Sequence, residues 1–130
     1  MNLQELRIGN YVSMNFDKEG QEYIIPTIVK ELSEVNCRVL SKGEVFVTHY
    51  DNIKPIPLTE DILLKCGAKL EGSEWQIEYD DTAFIFEGSL GRGFYYTGGE
   101  GCKLSVLFYN LHELQNLFRP ITGEELNVEL

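Results

Sequence analysis

Two histidines, His49 and His112, and three cysteines, Cys37, Cys66 and Cys102, are the side chains of this 130-residue chain best suited to nucleophilic or metal chemistry. Their spacing supports neither. A zinc site wants several His, Cys or carboxylate ligands at helix or hairpin spacing, and no H-x-x-x-H, H-E-x-x-H or paired-cysteine pattern occurs. His112 and Glu113 match half of a zincin motif, but Asn116 stands where the second histidine is required. His112 therefore reads as a residue on the polar face of a helix. The cysteines are odd in number and far apart, which points to buried reduced thiols rather than a disulfide framework. Cys102 can be paired on paper with His112 or His49, but no nucleophile elbow surrounds it and it follows a hairpin turn as an ordinary strand residue does. No catalytic residue, metal ligand or cofactor is assigned.

Adjacent carboxylates at Asp80 and Asp81 point apart and suit turn geometry, while Glu124 and Glu125 read as first-turn helix acids. The glycines of residues 88–93 and 98–101 lie between strands. A phosphate loop instead links a strand to a helix and, in the P-loop form, carries Gly-Lys-Ser/Thr. Hairpin turns are the better reading. Inside that cluster Arg92, Phe94, Tyr95 and Tyr96 place a guanidinium and three aromatic rings on one short strand. Arg and aromatic side chains carry most of the binding energy at protein interfaces, so these four residues form a candidate partner-binding edge. In the competing assignment Phe94 and Tyr96 face the core and Tyr95 packs on the surface.

The elements that must position these side chains follow from periodicity. Val12, Met14 and Phe16 alternate with polar residues in a first strand, and a β-branched run from Tyr23 to Val29 contains Pro26, which suits only an edge, rim or bulge. Residues 37–40 and 44–49 form a hairpin about Ser41–Gly43. Pro55 and Pro57 then break regular structure. Thr59 caps a short helix bearing Glu60, Asp61, Ile62, Leu63, Leu64 and Lys65, and Gly67 ends it. Residues 75–79, 82–87, 94–97 and 102–109 read as four strands. Asn110 with Glu113 opens a helix in which Leu111, Leu114, Leu117 and Phe118 share a stripe and which Pro120 stops. A second cap signal at Thr122 suggests a short final turn.

The expected fold is α+β, an N-terminal SH3-like small β-barrel over residues 1–57 followed over residues 58–130 by a four-stranded antiparallel meander covered by two short helices. The proline stretch is expected to fix the two halves against a shared core. No internal repeat or charge block is present. The 43% apolar content is that of a globular chain, and a net charge of −10 disfavours direct nucleic-acid binding. No signal peptide or bilayer-spanning run is visible, so a cytoplasmic product with no membrane contact is the default expectation.

Five segments then carry a resemblance: LRIGNYV at residues 6–12, PIPLTE at 55–60, LLKCG at 63–67, HELQNLF at 112–118 and TGEEL at 122–126. In this order they resemble an uncharacterised family of small proteins from phage-derived and mobile regions of gut bacterial genomes. The resemblance implies origin and no reaction, cofactor or catalytic residue. That family often has Phe where Cys66 stands, which argues against an essential thiol there, and Ala-Leu where Pro120 and Ile121 stand. The expected function is a non-enzymatic accessory protein of a phage or mobile element that binds an unidentified protein partner, its oligomeric state open. The alternatives are an acidic nucleic-acid mimic that inhibits a DNA-binding protein and, last, a small hydrolase.

Overall fold

Alternating apolar residues, two-residue turns and two capped helices account for the elements of the computed structural model, which describes residues 6–97 and 107–130. The fold is α+β, with antiparallel strands in two sheets and two helices. The chain divides into two compact units, Met1–Ile56 and Pro57–Leu130.

In the first unit, strands β1 (Tyr11–Lys18), β2 (Gln21–Leu32), β3 (Asn36–Ser41), β4 (Glu44–His49) and β5 (Ile53–Lys54) form one sheet in the order β4-β3-β2-β1-β5. A 3-10 turn over Tyr50–Asn52 precedes β5. The LRIGNYV segment is the turn that launches β1. Arg7 N donates to Asn10 Oδ1 at 2.8 Å, and Gly9 holds φ +98°, a region open to glycine at little cost. The β1–β2 and β3–β4 turns are Glu19-Gly20 and Lys42-Gly43, all four residues with positive φ, the type I′ geometry that matches the twist of paired strands. Pro26 sits in a central strand, yet its environment is that of an edge. The β2–β3 ladder begins only at Ile28, a bulge follows between Val29 and Glu31, and the Pro26 carbonyl accepts from the side chain of the last β3 residue, Ser41 Oγ, at 3.0 Å.

Val12, Met14, Val29, Cys37, Val39 and Ile53 are buried in a cluster built wholly from this unit. One sheet can bury its own face only by curling, and the aromatic contacts show that it does. Phe16 on β1 and Phe46 on β4 stack with ring centroids 6.4 Å apart, whereas flat pairing through β2 and β3 holds such strands about 14 Å apart. The sheet nevertheless stays open. β4 and β5 are its two edges and no ladder joins them among the described residues, so what the expected SH3-like small barrel region forms is a curled five-stranded sheet without closure.

In the second unit, helix α1 (Glu60–Lys65) precedes strands β6 (Lys69–Glu71), β7 (Glu74–Tyr79), β8 (Thr82–Ser89) and β9 (Gly93–Tyr96), in that order in the sheet, and helix α2 (Leu111–Thr122) follows. Thr59 Oγ1 accepts from Ile62 N at 3.2 Å. Gly67 and Ala68 return their N–H groups to Leu64 O and Leu63 O at 3.0 Å each, a Schellman ending with Gly67 at φ +79°. The sheet has four strands, but not the four expected: β6 was not foreseen, and the strand read at residues 102–109 lies mostly outside the described residues. Its described end, Phe108, bridges Phe94 through a pair of backbone hydrogen bonds of 2.8 and 2.9 Å. Leu63, Cys66, Trp75, Ile77, Phe84, Phe86, Phe94, Leu111, Leu114 and Phe118 are buried.

Helix α2 does not stop at Pro120. Proline cannot donate to the Asn116 carbonyl, but the last turn is closed by other groups: Thr122 Oγ1 donates to Phe118 O at 2.7 Å and Gly123 N to Arg119 O at 2.8 Å. With Thr122 and Gly123 used as the ending, residues 123–130 contain no further helix.

Candidate binding site

The β8–β9 hairpin is shaped by two glycines that no other residue can replace without movement. Gly88 has φ +142°, and a Cβ there would lie 2.2 Å from Gly93 O and 2.7 Å from Phe94 Cα. Gly93 has φ +97° beneath the Tyr109 ring, 2.9 Å from where its Cβ would stand. The glycine cluster is thus turn and close-packing chemistry. The tip, Leu90 to Arg92, carries the Arg92 side chain into solvent, and the register pairs Tyr95 with Glu87 and Tyr96 with Phe86.

This register separates the four candidate residues. Phe94 and Tyr96 are buried in the aromatic core, where Phe86 meets Phe94 edge-on at 5.8 Å and Phe84 lies 4.9 Å from Tyr96. Arg92 is exposed and Tyr95 half-buried on the opposite face of the sheet. The Tyr95 hydroxyl donates to Glu87 Oε2 at 2.9 Å; that hydrogen bond, then the negative charge of Glu87, then a smaller loss of hydration raise its pKa above the ordinary phenol value.

The same row of the sheet continues through Glu87 to Glu74 and Glu71, each directly opposite the next across adjacent strands. Neighbouring strands lie about 4.8 Å apart, and like charges directly opposite one another are destabilising. Gln76 Nε2 donates to Glu71 Oε2 at 3.3 Å at one end and Tyr95 to Glu87 at the other, while the Glu74 side chain between them has no partner among the described residues. The net charge is concentrated in this unit, with 13 acidic against five basic residues in 57–130 and eight against six in 1–56.

The nucleophiles and bases are placed otherwise. Cys37 and Cys66 are buried, and burial pushes both thiols up, Cys66 to about 12, so neither is a thiolate near neutral pH. Cys102 lies outside the described residues. His49 is exposed in the first unit, its Nδ1 accepting from Asp51 N at 3.2 Å. His112 is not on a polar face. It and Gln115 are each 1% exposed, because α2 is buried across a stripe wide enough to take Leu111, His112, Leu114, Gln115 and Phe118. Asp80 and Asp81 form the β7–β8 turn with φ +42° and +63°, and Glu125 pairs with Arg119 at 2.6 Å. Among the described residues no group of three or more His, Cys, Asp or Glu is placed to hold a metal ion.

A second surface escaped the sequence reading. Tyr23 stacks on Phe16 at 5.2 Å and Phe16 on Phe46 at 6.4 Å, and Phe16 and Phe46 line with Ile25, Pro26 and Lys42 a cleft of about 320 Å³ at the rim of the first unit. Phe16 and Phe46 are far apart in sequence, and only the curl of the sheet joins them.

The segments that carry the family resemblance supply caps, turns and core rather than this surface. Gly9 and Asn10 shape the first turn, Thr59 and Gly67 bound α1, Glu113 Oε1 accepts from Asn110 N at 3.1 Å, and Gly123 ends α2. In comparison with known proteins, the chain matches no family model, no curated protein and no solved structure.

Proposed function

We propose that the chain is a non-enzymatic protein-binding module, an accessory protein of a phage or mobile element that works in the cytoplasm, and that its partner docks on the outer face of the β8–β9 hairpin through Arg92 and Tyr95. The observation that carries this reading is the half-exposed Tyr95 phenol beside a row of three carboxylates on directly opposed residues, with the exposed Arg92 guanidinium at the tip of the same hairpin. Directly opposed like charges cost stability in the free chain, and a partner bringing donors or cations to the row offsets that cost. No helix among the described residues is long and apolar enough to cross a membrane. For the first unit we retain an SH3-like reading, supported by five short antiparallel strands, a last strand that returns beside the first after a 3-10 turn, and the curl that stacks Phe16 on Phe46.

The test is capture of partners from host cells by the tagged protein beside an Arg92→Ala/Tyr95→Ala variant. Both side chains face solvent, so the variant is expected to fold normally and to lose the captured protein at least tenfold. Partners retained unchanged remove the hairpin from consideration. The acidic row also favours the nucleic-acid-mimic reading, in which the partner is a DNA-binding protein and duplex DNA competes for it. A duplex presents two lines of phosphates, and the described residues of this sheet present one line of carboxylates. Failure of DNA to compete rejects mimicry and leaves the protein-binding reading intact.

A further inference from the structure

Beyond helix α2 the chain turns at Gly123 and lies extended in a groove walled by the end of α1, by Ile77 and Tyr79 of β7, and by Phe118 of α2. Its side chains alternate: Leu126 and Val128 are 5% and 7% exposed, while Asn127 and Glu129 face out. Two polar contacts bracket the buried pair. Arg119 Nη1 donates to Glu125 Oε1 at 2.6 Å ahead of it, and Glu129 N donates to Lys65 O at 2.9 Å behind it. A cleft of about 290 Å³ opens beside the segment at Glu125, Leu126, Asn127 and Glu129. This is how a protein holds a peptide ligand: a cation reads one carboxylate, pockets take alternate apolar side chains, and a backbone carbonyl sets the register. The segment carries no helix or strand of its own, and segments of that kind are drawn on by a fold for its less stable, displaceable parts.

We propose that this groove is a docking site for an extended segment of a partner protein with an acidic residue followed by an apolar, any and a second apolar residue, and that residues 125–128 occupy it in cis as a displaceable strap. The site is separate from the β8–β9 surface and stands or falls independently of it. Arg119 selects the acidic residue, and the seats of Leu126 and Val128 select the apolar pair.

The experiment uses the full chain with Leu126→Ser and Val128→Ser, which weakens the strap in place, and a synthetic peptide of residues 122–130 as the probe, titrated calorimetrically. The natural peptide should bind one to one and at least tenfold more tightly than a peptide bearing the same two serines. The unsubstituted chain should bind it at least tenfold more weakly than the variant does, because its own strap competes. Adding Arg119→Ala to the variant should weaken the natural peptide but not a Glu125→Gln peptide. A folded variant that binds neither peptide, or both equally, overturns the proposal. Should the variant lose its native Trp75 fluorescence, amide hydrogen exchange on the unsubstituted chain decides. Leu126–Glu129 amides that exchange well before those of β7 and β8 support a displaceable strap, and protection equal to that of β7 and β8 overturns it.

Discussion

The two units solve the same burial problem by different means. The first curls a five-stranded sheet on itself and fills the inside with aliphatic side chains, Val12, Met14, Val29, Val39 and Ile53, leaving its aromatic rings, Phe16, Tyr23 and Phe46, at the rim. The second keeps its sheet open under helices and fills the layer with a connected aromatic net in which Phe84 touches Phe86, Tyr96 and Phe118 within 5.8 Å. Rings need depth on every side to be covered, which a helix–sheet layer supplies and the open end of a curled sheet does not. The charge follows the same division. A sheet covered on one face leaves the other free for polar side chains, and there the second unit carries its glutamate row. The first unit is nearly neutral, and exposed apolar side chains occur in both, Ile24, Val45 and Val47 in the first and Leu64, Leu70 and Leu90 in the second.

The sharpest test of that contrast is Phe84→Ala. Removing a fully buried ring from the middle of the net is expected to destabilise the protein by about 4 kcal/mol, read from urea unfolding followed by Trp75, the chain's single tryptophan, which lies in the second unit. Phe16→Ala at the half-exposed rim is expected to cost less than half as much, and equal losses would break the distinction between net and rim. Next comes Gly88→Ala. Its Cβ would meet backbone rather than a movable side chain, and with φ +142° the expected loss is about 3 kcal/mol. A loss under about 1 kcal/mol would show that the hairpin can shift.

A smaller effect is alkaline. The Cys66 thiol titrates near 9 when the chain is unfolded and at about 12 when folded. The folded pKa is the raised one, so the stabilisation is complete below pH 9 and is lost as pH climbs toward 12, by about 1.4 kcal/mol at pH 10. Urea unfolding at pH 8 and pH 10 should show this loss, and Cys66→Ala should abolish this component while leaving that of Cys37. The smallest effect is a gain. The first unit closes its hairpins with glycine at the second turn position, Gly20 and Gly43, whereas the β7–β8 turn of the second holds Asp80 and Asp81 at positive φ. Asp81→Gly is expected to raise stability by about 0.5–1 kcal/mol, seen as a higher thermal midpoint.

Much of this was legible in the order of residues. The caps at Thr59 and Asn110, the Gly67 ending of α1, the two-residue turns and the alternation that separates Phe94 and Tyr96 from Tyr95 are local rules, satisfied within a few residues of where they are written. What escaped depends on distant partners. β6 is three residues long and exists because β7 pairs with it. Pro120 is tolerated because Thr122 and Gly123 close the turn in its place. His112 and Gln115 carry polar side chains that periodicity placed in water, and the breadth of the buried stripe on α2 overrides that assignment.

By itself the sequence determined the helix starts at Thr59 and Asn110, most of the strands and their turns, that the chain is strongly acidic, and that no local catalytic or metal motif is written in it, because each depends on neighbouring residues or on composition. Only the tertiary structure decided that the carboxylates of Glu71, Glu74 and Glu87 stand in one row beside Tyr95, that Phe16 stacks on Phe46, and that Leu126 and Val128 lie in a groove. Those depend on strand register, sheet curl and the path of the chain, which bring together side chains that no spacing along the sequence relates.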